Sequence, residues 1–250
     1  MTFISRKFWQ FRYFDTQLGR PTWTGRTVLD FGGNAGNILK EPSSTIDHDK
    51  YWCIDVSRDA IEKARKTYPD AHWIFYDRYN LQFNPTGILG LEIPDTGHKF
   101  DYILAYSVFT HTSKAEMIEL VNHLETLLKG NGILAFTFVH PQWIPPDWRP
   151  HYRRRSRFPP RCNLQWWLEG RRAANVNALM KKAENASWCT LVNDNHLYID
   201  CENEEHHEAW EKRTYMAFYT AEYMKTIFPD AEVLPPVQPE RQHCCMIKKG

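Results

Sequence analysis

Short apolar runs alternate with amphipathic stretches from Thr27 to Val139, and this pattern predicts strands alternating with helices. The strands are expected at Thr27–Phe31, Tyr51–Asp55, His72–Asp77, Phe100–Tyr106 and Gly132–Val139. The helices are expected at Asn37–Lys40, Asp59–Tyr68 with Ser57 as the N-cap, and Lys114–Leu128. Repeated β-α units predict an α/β protein with a mostly parallel sheet.

The β-α rhythm stops after Val139 and returns near residue 219. Prolines and aromatic residues dominate the stretch between, which predicts an insertion with an irregular path. A helix is then expected at Ala221–Phe228, followed by strands at Ala231–Leu234 and Gln242–Lys248. Because a short turn joins the last two strands, they must run antiparallel.

Two hundred and fifty residues suit one hydrophobic core with additions. We expect a core domain made of residues 27–139 and 219–250. Residues 1–26 are expected to form an N-terminal cap segment, and residues 140–218 a lid over the substrate.

A glycine-rich turn follows the first strand, with glycines at positions 32, 33 and 36. Glycine lets the backbone approach a nucleotide-like ligand without a Cβ in the way. The spacing does not match the fingerprint of dinucleotide sites, and no phosphate-binding loop ending in Gly-Lys-Ser/Thr is present, so NAD, ATP and GTP are poor candidates.

Three strands in succession end at or near a carboxylate, and open α/β sheets bind ligands at that edge. Asp30 ends the first strand beside the glycine-rich turn. Asp55 ends the second, where it could accept hydrogen bonds from ribose hydroxyls, and Asp77 ends the third, where it could accept from an adenine amine. Together with the turn, these acids predict an adenosine-containing cofactor.

These segments resemble motifs of the class I S-adenosylmethionine-dependent methyltransferases. The matching segments are Val28–Gly36, Ile54–Ser57 with Ala60–Arg65, Tyr76–Arg78 and Phe100–His111. The resemblance implies a Rossmann-like seven-stranded sheet with an antiparallel C-terminal hairpin, which agrees with the turn length above. It also implies S-adenosylmethionine as cofactor and S-adenosylhomocysteine as product.

The resemblance assigns cofactor contacts along those motifs. The residues it implies, with the acids above, are Asp30, Gly32, Gly33, Asn34, Gly36, Asp55, Val56, Asp77, Arg78 and Tyr106. Asn34 departs from the family, which usually has glycine there. Because asparagine tolerates a positive φ, the turn can still form, although the pocket beside the cofactor's amino-acid end is altered. Tyr13 is a further candidate contact from the N-terminal segment.

Methyl transfer requires alignment and, for a hydroxyl or a protonated amine, a base. His111 follows the fourth strand and His140 follows the fifth, so both lie at the expected catalytic edge of the sheet. Either could be the base, and His111 could instead pack near the cofactor.

The insertion is rich in large aromatic side chains, which could form the core of a helical lid or the wall of an apolar pocket. The substrate contacts that we expect are Trp143, Trp148, Tyr152, Trp166, Trp167 and Arg154. Arg154 belongs to a cluster of six arginines between Arg149 and Arg161. That cluster could be a solvated surface, a clamp for an anionic substrate or a nucleic-acid contact.

The composition of the chain argues against several classes of binding partner. Thirty-one basic and 30 acidic residues give a net charge of +1, which offers no overall field for nucleic acid or an anionic membrane. No apolar stretch is long enough to span a bilayer, no secretory leader is evident, and no C-x-x-C pair is present among six cysteines, so a cytoplasmic protein without a metal site is expected. The sequence does not indicate the oligomeric state.

The sequence therefore predicts an enzyme that methylates oxygen or nitrogen on a small aromatic or hydrophobic metabolite, as in secondary metabolism, with a histidine as general base. Two alternatives remain open. One is an RNA or protein methyltransferase that uses the Arg149–Arg161 stretch, and the other is a homologue that binds the cofactor without methylating.

Overall fold

The computed structural model describes residues 9–143, 186–194, 196–201, 214–237 and 240–250. Its helices are α1 (Gln10–Gln17), α2 (Arg58–Thr67), α3 (Lys114–Thr126) and α4 (Ala221–Ile227). Its first strands are β1 (Val28–Phe31), β2 (Tyr51–Asp55), β3 (His72–Phe75), β4 (Phe100–Ala105) and β5 (Leu128–Val139). The later strands are β6 (Trp188–Asp194), β7 (His196–Cys201), β8 (Thr214–Tyr219), β9 (Glu232–Leu234) and β10 (Gln242–Lys248).

Seven strands form one sheet in the order β3-β2-β1-β4-β5-β10-β9. The first five strands run parallel, and β10 pairs antiparallel with both β5 and β9. The expected seven-stranded sheet with an antiparallel C-terminal hairpin is therefore confirmed. Apolar side chains of α3 and α4 cover one face of the sheet, and those of α1 and α2 cover the other.

Local sequence signals account for the helix boundaries. The Ser57 hydroxyl accepts a hydrogen bond from the backbone N–H of Ala60, so Ser57 is the N-cap of α2 as expected. Ser113 is the N-cap of α3, because its hydroxyl accepts a hydrogen bond from the backbone N–H of Glu116. The side chains of α3 that pack on the sheet are Met117, Leu120, Val121 and Leu124.

The short helix expected at Asn37–Lys40 is wrong. Residues 34–40 form successive turns, with backbone hydrogen bonds from Asn37 to Gly33 and from Lys40 to Gly36. Gly36 has a φ of 69°, which is in the left-handed region, so the turns on either side of it cannot join into one right-handed helix.

The expectation of an irregular insertion is also wrong for the part that the structure describes. Strands β6, β7 and β8 form a separate antiparallel sheet in the order β7-β6-β8. Trp188 of β6 and Tyr219 of β8 are buried in the same apolar cluster as α3. This part of the insertion is thus anchored to the core domain by strands instead of helices.

Candidate active site

The carboxyl ends of β1, β2 and β4 border a cavity of about 260 Å³ that opens to solvent. Predicted residues that line it are Gly32, Asn34, Asp55, Val56, Arg78, Tyr106 and His111. Six other predicted residues are not part of its lining, namely Tyr13, Asp30, Gly33, Gly36, Asp77 and His140. The sequence thus indicated the region of the cavity, but it did not distinguish the residues that line the cavity from those that lie behind its wall.

The glycine-rich turn forms one wall of the cavity through tight backbone packing. Gly32 has a φ of 74°, and a Cβ there would lie 2.4 Å from Cγ2 of Val108. Asn34 has a φ of 53° and its side-chain oxygen accepts a hydrogen bond from the N–H of Ala35. The asparagine therefore adopts the left-handed conformation that a family glycine would supply, and the turn is preserved.

Asp55 joins the turn to the end of β2. Its Oδ2 accepts from the N–H of Asn34 and its Oδ1 accepts from the N–H of Ser57, both at 2.7 Å. Burial raises the pKa of this carboxyl group, and the two backbone hydrogen bonds act in the opposite direction. A carboxylate has about four acceptor positions, so roughly two remain for a ligand in the cavity.

Asp30 lies behind the turn. It is only 2% exposed, and its Oδ2 accepts from the Tyr51 hydroxyl at 2.6 Å. A Cβ on Gly33 would lie 2.3 Å from the same oxygen. Asp30 therefore lies against the far side of the glycine-rich turn, where the backbone separates it from the cavity.

Asp77 borders a second cavity of about 340 Å³, which shares Val56 and Phe83 with the first. Its Oδ1 accepts from the side-chain amide of Asn84 at 3.0 Å. The two cavities are adjacent parts of one cleft, and Asp77 lies at the side away from the glycine-rich turn.

Arg78 is buried and tied to α3. Its guanidinium donates to Glu116 at 2.8 Å and, through two nitrogens, to Glu119 at 3.0 Å. Burial acts to lower the pKa of Arg78, but these carboxylates outweigh it and raise the pKa. Although Arg78 lines the cavity, its donors are directed to α3, to the Leu91 carbonyl and to the Tyr76 hydroxyl, so it holds the loop after β3 in place.

The end of β4 forms the opposite wall and contains residues that the sequence did not single out. Ser107 has a φ of 58°, and its N–H donates to the Thr137 hydroxyl of β5 at 2.7 Å. The neighbouring Tyr106 donates its hydroxyl hydrogen to Glu240 at 3.0 Å. Left-handed non-glycine residues concentrate at functional sites, and Asn34 and Ser107 both line this cavity.

Tyr13 supports this wall from behind. Its ring packs edge-on against the ring of Tyr106, with centroids 5.5 Å apart, and its hydroxyl donates to the carbonyl of Gln242. From the same helix, Gln10 reaches the cavity lining instead. The segment that was expected to touch the ligand therefore does border the cavity, but through a different residue.

The two histidines occupy different positions. His111 lines the cavity, with its Nδ1 2.8 Å from Nε2 of Gln82 and its ring edge-on to that of Phe83. His140 is not in the lining, and its ring centroid lies 6.1 Å from that of His243. Burial lowers the pKa of His140, although the Glu222 carboxylate acts to raise it, so its imidazole is neutral at pH 7 and able to accept a proton.

The expected substrate contacts lie outside the described residues. For Trp143 only the backbone is described, in a short 3-10 helix at Pro141–Trp143. Trp148, Tyr152, Arg154, Trp166 and Trp167 fall in the part of the chain for which no structure is described, as does the rest of the arginine cluster. Within the described ranges, no group of three or more potential metal ligands is found, and no helix is long and apolar enough to cross a bilayer.

Comparison with known proteins shows which family and which fold this chain is similar to. Residues 29–134 match the family described as methyltransferase domain. The chain superposes on an S-adenosylmethionine-dependent methyltransferase from Clostridium acetobutylicum with a TM-score of 0.53 at 10% identity, covering 98% of this chain and 92% of the other. It superposes on Streptomyces venezuelae DesVI with a TM-score of 0.51 at 14% identity, covering 98% and 94%.

A sequence relative is an uncharacterised protein of Rickettsia prowazekii, which is 28% identical over 127 residues. The match covers 50% of this chain and 48% of that protein, so the chain spans about half the length of the curated relative that it matches.

Residues 29–134 thus match the methyltransferase domain family, and the fold of the chain is similar to that of an S-adenosylmethionine-dependent methyltransferase. The resemblance drawn from the motifs is confirmed. The cavity fits this cofactor, because no side chain of Gly32 occupies the turn and Asp55 retains acceptor positions beside it.

Proposed function

We propose that this protein transfers a methyl group from S-adenosylmethionine to oxygen or nitrogen on a small aromatic or hydrophobic acceptor. The observation that supports this most directly is the pairing of Asp55 with the side-chain-free turn at Gly32 on one cavity wall. A diol next to such a carboxylate gains charge-assisted hydrogen bonds, whereas a pyrophosphate there would be repelled.

Each part of the cofactor has a proposed position in the cleft. Asp55 accepts from the ribose hydroxyls, and the adenine lies between Val56 and Phe83 with its amine toward Asp77. The amino-acid end lies along the turn at Gly32 and Asn34. Bound S-adenosylmethionine supplies the methyl group, and the chain supplies the alignment for an in-line displacement.

The methyl group would then be presented at the wall formed by Tyr106 and Ser107. Thr137 holds the Ser107 backbone from β5, and Glu240 holds the Tyr106 hydroxyl. A wall with fixed geometry helps to align the acceptor with the methyl carbon for reaction. The proton that leaves the acceptor goes to His111 in the cavity or to His140 at the sheet edge.

The choice between the two histidines depends on hydrogen-bond direction. If the amide nitrogen of Gln82 donates to Nδ1 of His111, then Nε2 of the neutral ring carries the hydrogen. In that form His111 is a donor to the ligand and has no free nitrogen with which to accept a proton. Nδ1 of His140 accepts in the same way from the backbone N–H of Gln142, so both histidines stay candidates for the base, and only His111 is placed to contact the cofactor.

The proposal is tested in two steps. Calorimetry should show binding of both S-adenosylmethionine and S-adenosylhomocysteine to the full chain. Transfer of labelled methyl from S-adenosylmethionine should then be measured with panels of phenols, aromatic amines, RNA and protein. Labelled small phenols or amines support the proposal, whereas labelling of only RNA or protein, or of nothing, contradicts the assigned acceptor class.

A further inference from the structure

Asp30 is a buried carboxylate that the proposed reaction does not use. It follows Leu29 in β1, and the described hydrogen bond to its side chain comes from the Tyr51 hydroxyl. Burying a carboxylate with so few donors is costly. The glycine-rich turn lies directly against it, since a Cβ on Gly33 would meet its Oδ2 at 2.3 Å.

A charge in this position acts through its field. The turn that covers Asp30 contributes Gly32 and Asn34 to the cavity wall, so a ligand in the cavity is one backbone layer away from the carboxylate. Coulomb interactions are several times stronger in a protein interior than in water. The negative charge of Asp30 can therefore change the binding free energy of a ligand that it does not contact.

We propose that Asp30, held by Tyr51 behind the glycine-rich turn, is a specificity residue that makes the cavity prefer the cationic sulfonium of S-adenosylmethionine over the neutral thioether of S-adenosylhomocysteine. This inference rests on the proposed function. The two ligands have the same adenosine and amino-acid groups and differ by one positive charge and one methyl group. An ionised Asp30 would favour substrate binding over product binding, and so would assist product release.

The ionisation of Asp30 makes this preference depend on pH. Burial raises its pKa to about 7; the Tyr51 hydrogen bond acts to lower it and the nearby Asp55 carboxylate to raise it. A cationic ligand stabilises the ionised form, so binding it should release a proton and should strengthen as pH rises through this range. The ammonium group of the amino-acid end is common to both ligands, so its coupling to Asp30 cancels in the ratio of their affinities.

Other titratable groups face Asp30 or the cavity, and their effects on ligand binding must be distinguished from the effect of Asp30. On β2, burial raises the pKa values of Tyr51 and Cys53, so both stay neutral near pH 7. Asp55 lies beside the turn, while His111 and the Arg78–Glu116 pair line the cavity from other elements. Their contributions persist when Asp30 alone is replaced.

The test is calorimetry of the full chain with both ligands between about pH 6 and about pH 8.5. The ratio of the S-adenosylhomocysteine Kd to the S-adenosylmethionine Kd should rise roughly tenfold for each unit by which the cation lowers the Asp30 pKa. In Asp30→Asn this rise should disappear. Asp101→Asn, at the amino end of β4, is the matched control and should keep the wild-type profile.

Tyr51→Phe provides a second variant that keeps the carboxylate. Because it removes the hydroxyl that stabilises the charged form, the midpoint of the ratio should move to higher pH. A wild-type ratio independent of pH, an unchanged profile in Asp30→Asn, or an unshifted midpoint in Tyr51→Phe overturns the inference alone. Failure of the wild type to bind either ligand at any pH removes the proposed function as well.

Discussion

Asp55 has two connections that matter for function, one to the glycine-rich turn and one to the proposed ribose site. Asp55→Ala should weaken S-adenosylhomocysteine binding by about 1–3 kcal/mol, because charge-assisted hydrogen bonds are lost. Titration calorimetry measures this. Asp70→Ala, which removes an exposed carboxylate beyond α2, is the control and should bind as the wild type does. Unchanged affinity in Asp55→Ala would refute the ribose assignment.

The two histidines are separated by comparing turnover with binding. With an acceptor identified, His140→Ala should lower kcat by roughly 10²–10⁴-fold if it is the base, while leaving S-adenosylhomocysteine affinity nearly unchanged. His111→Ala should instead weaken that affinity, since His111 lines the cavity. The opposite pattern, with kcat sensitive only to His111, would exchange the two roles.

The burial of Asp30 also has a consequence for stability. Its folded-state pKa of about 7 lies above its unfolded value of about 3.9. Between these values the folded state retains a proton that the unfolded state has lost, so its contribution to the free energy of unfolding falls as pH rises and then levels off above pH 7.

Asp30→Asn should remove this pH dependence. Urea unfolding at about pH 5 and about pH 8 should show the variant gaining stability relative to wild type at the higher pH, by an amount on the order of a few kcal/mol. A difference between variant and wild type that is equal at both pH values would show that Asp30 is ionised throughout.

At the scale of elements, the loop after β3 depends on α3 through Arg78. Arg78→Met should destabilise the fold by about 3–5 kcal/mol, because it removes the buried guanidinium that pairs with the buried Glu116 carboxylate. Glu119→Gln should cost much less, since that side chain is 47% exposed. Denaturant unfolding compares them, and a loss below about 1 kcal/mol for Arg78→Met would contradict a structural role for the pair.

Element-scale patterns explain which features were readable from the sequence. Strand β2 and the final strand β10 match their predicted limits, because each is a continuous apolar run bounded by polar residues. Residues 37–40 were predicted as a helix because residue type alone does not reveal the left-handed φ of Gly36, next to which the chain forms turns. Strands β6 to β8 also contain short apolar runs, but the proline-rich stretch before them led to the prediction of an irregular path.

The residues of the candidate site could also be predicted only in part from the sequence. Sequence position places Asp30, Asp55 and Asp77 at one sheet edge, and the structure agrees. Which of them faces the cavity depends on packing that spacing does not encode, such as the contact between Asp30 and Tyr51. Ser107, Thr137 and Glu240 gave no signal, since their connection across β4, β5 and the β10 end exists only in three dimensions.

At the scale of the whole molecule, one sheet brings the ends of β1, β2 and β4 together around the cleft that we propose binds S-adenosylmethionine. The most direct test is a crystal structure of the full chain with S-adenosylhomocysteine. The account predicts ribose hydroxyls within hydrogen-bonding distance of Asp55 and the sulfur atom at the wall formed by Tyr106 and Ser107. A ligand bound elsewhere, or an Asp55 that does not contact it, would contradict the account.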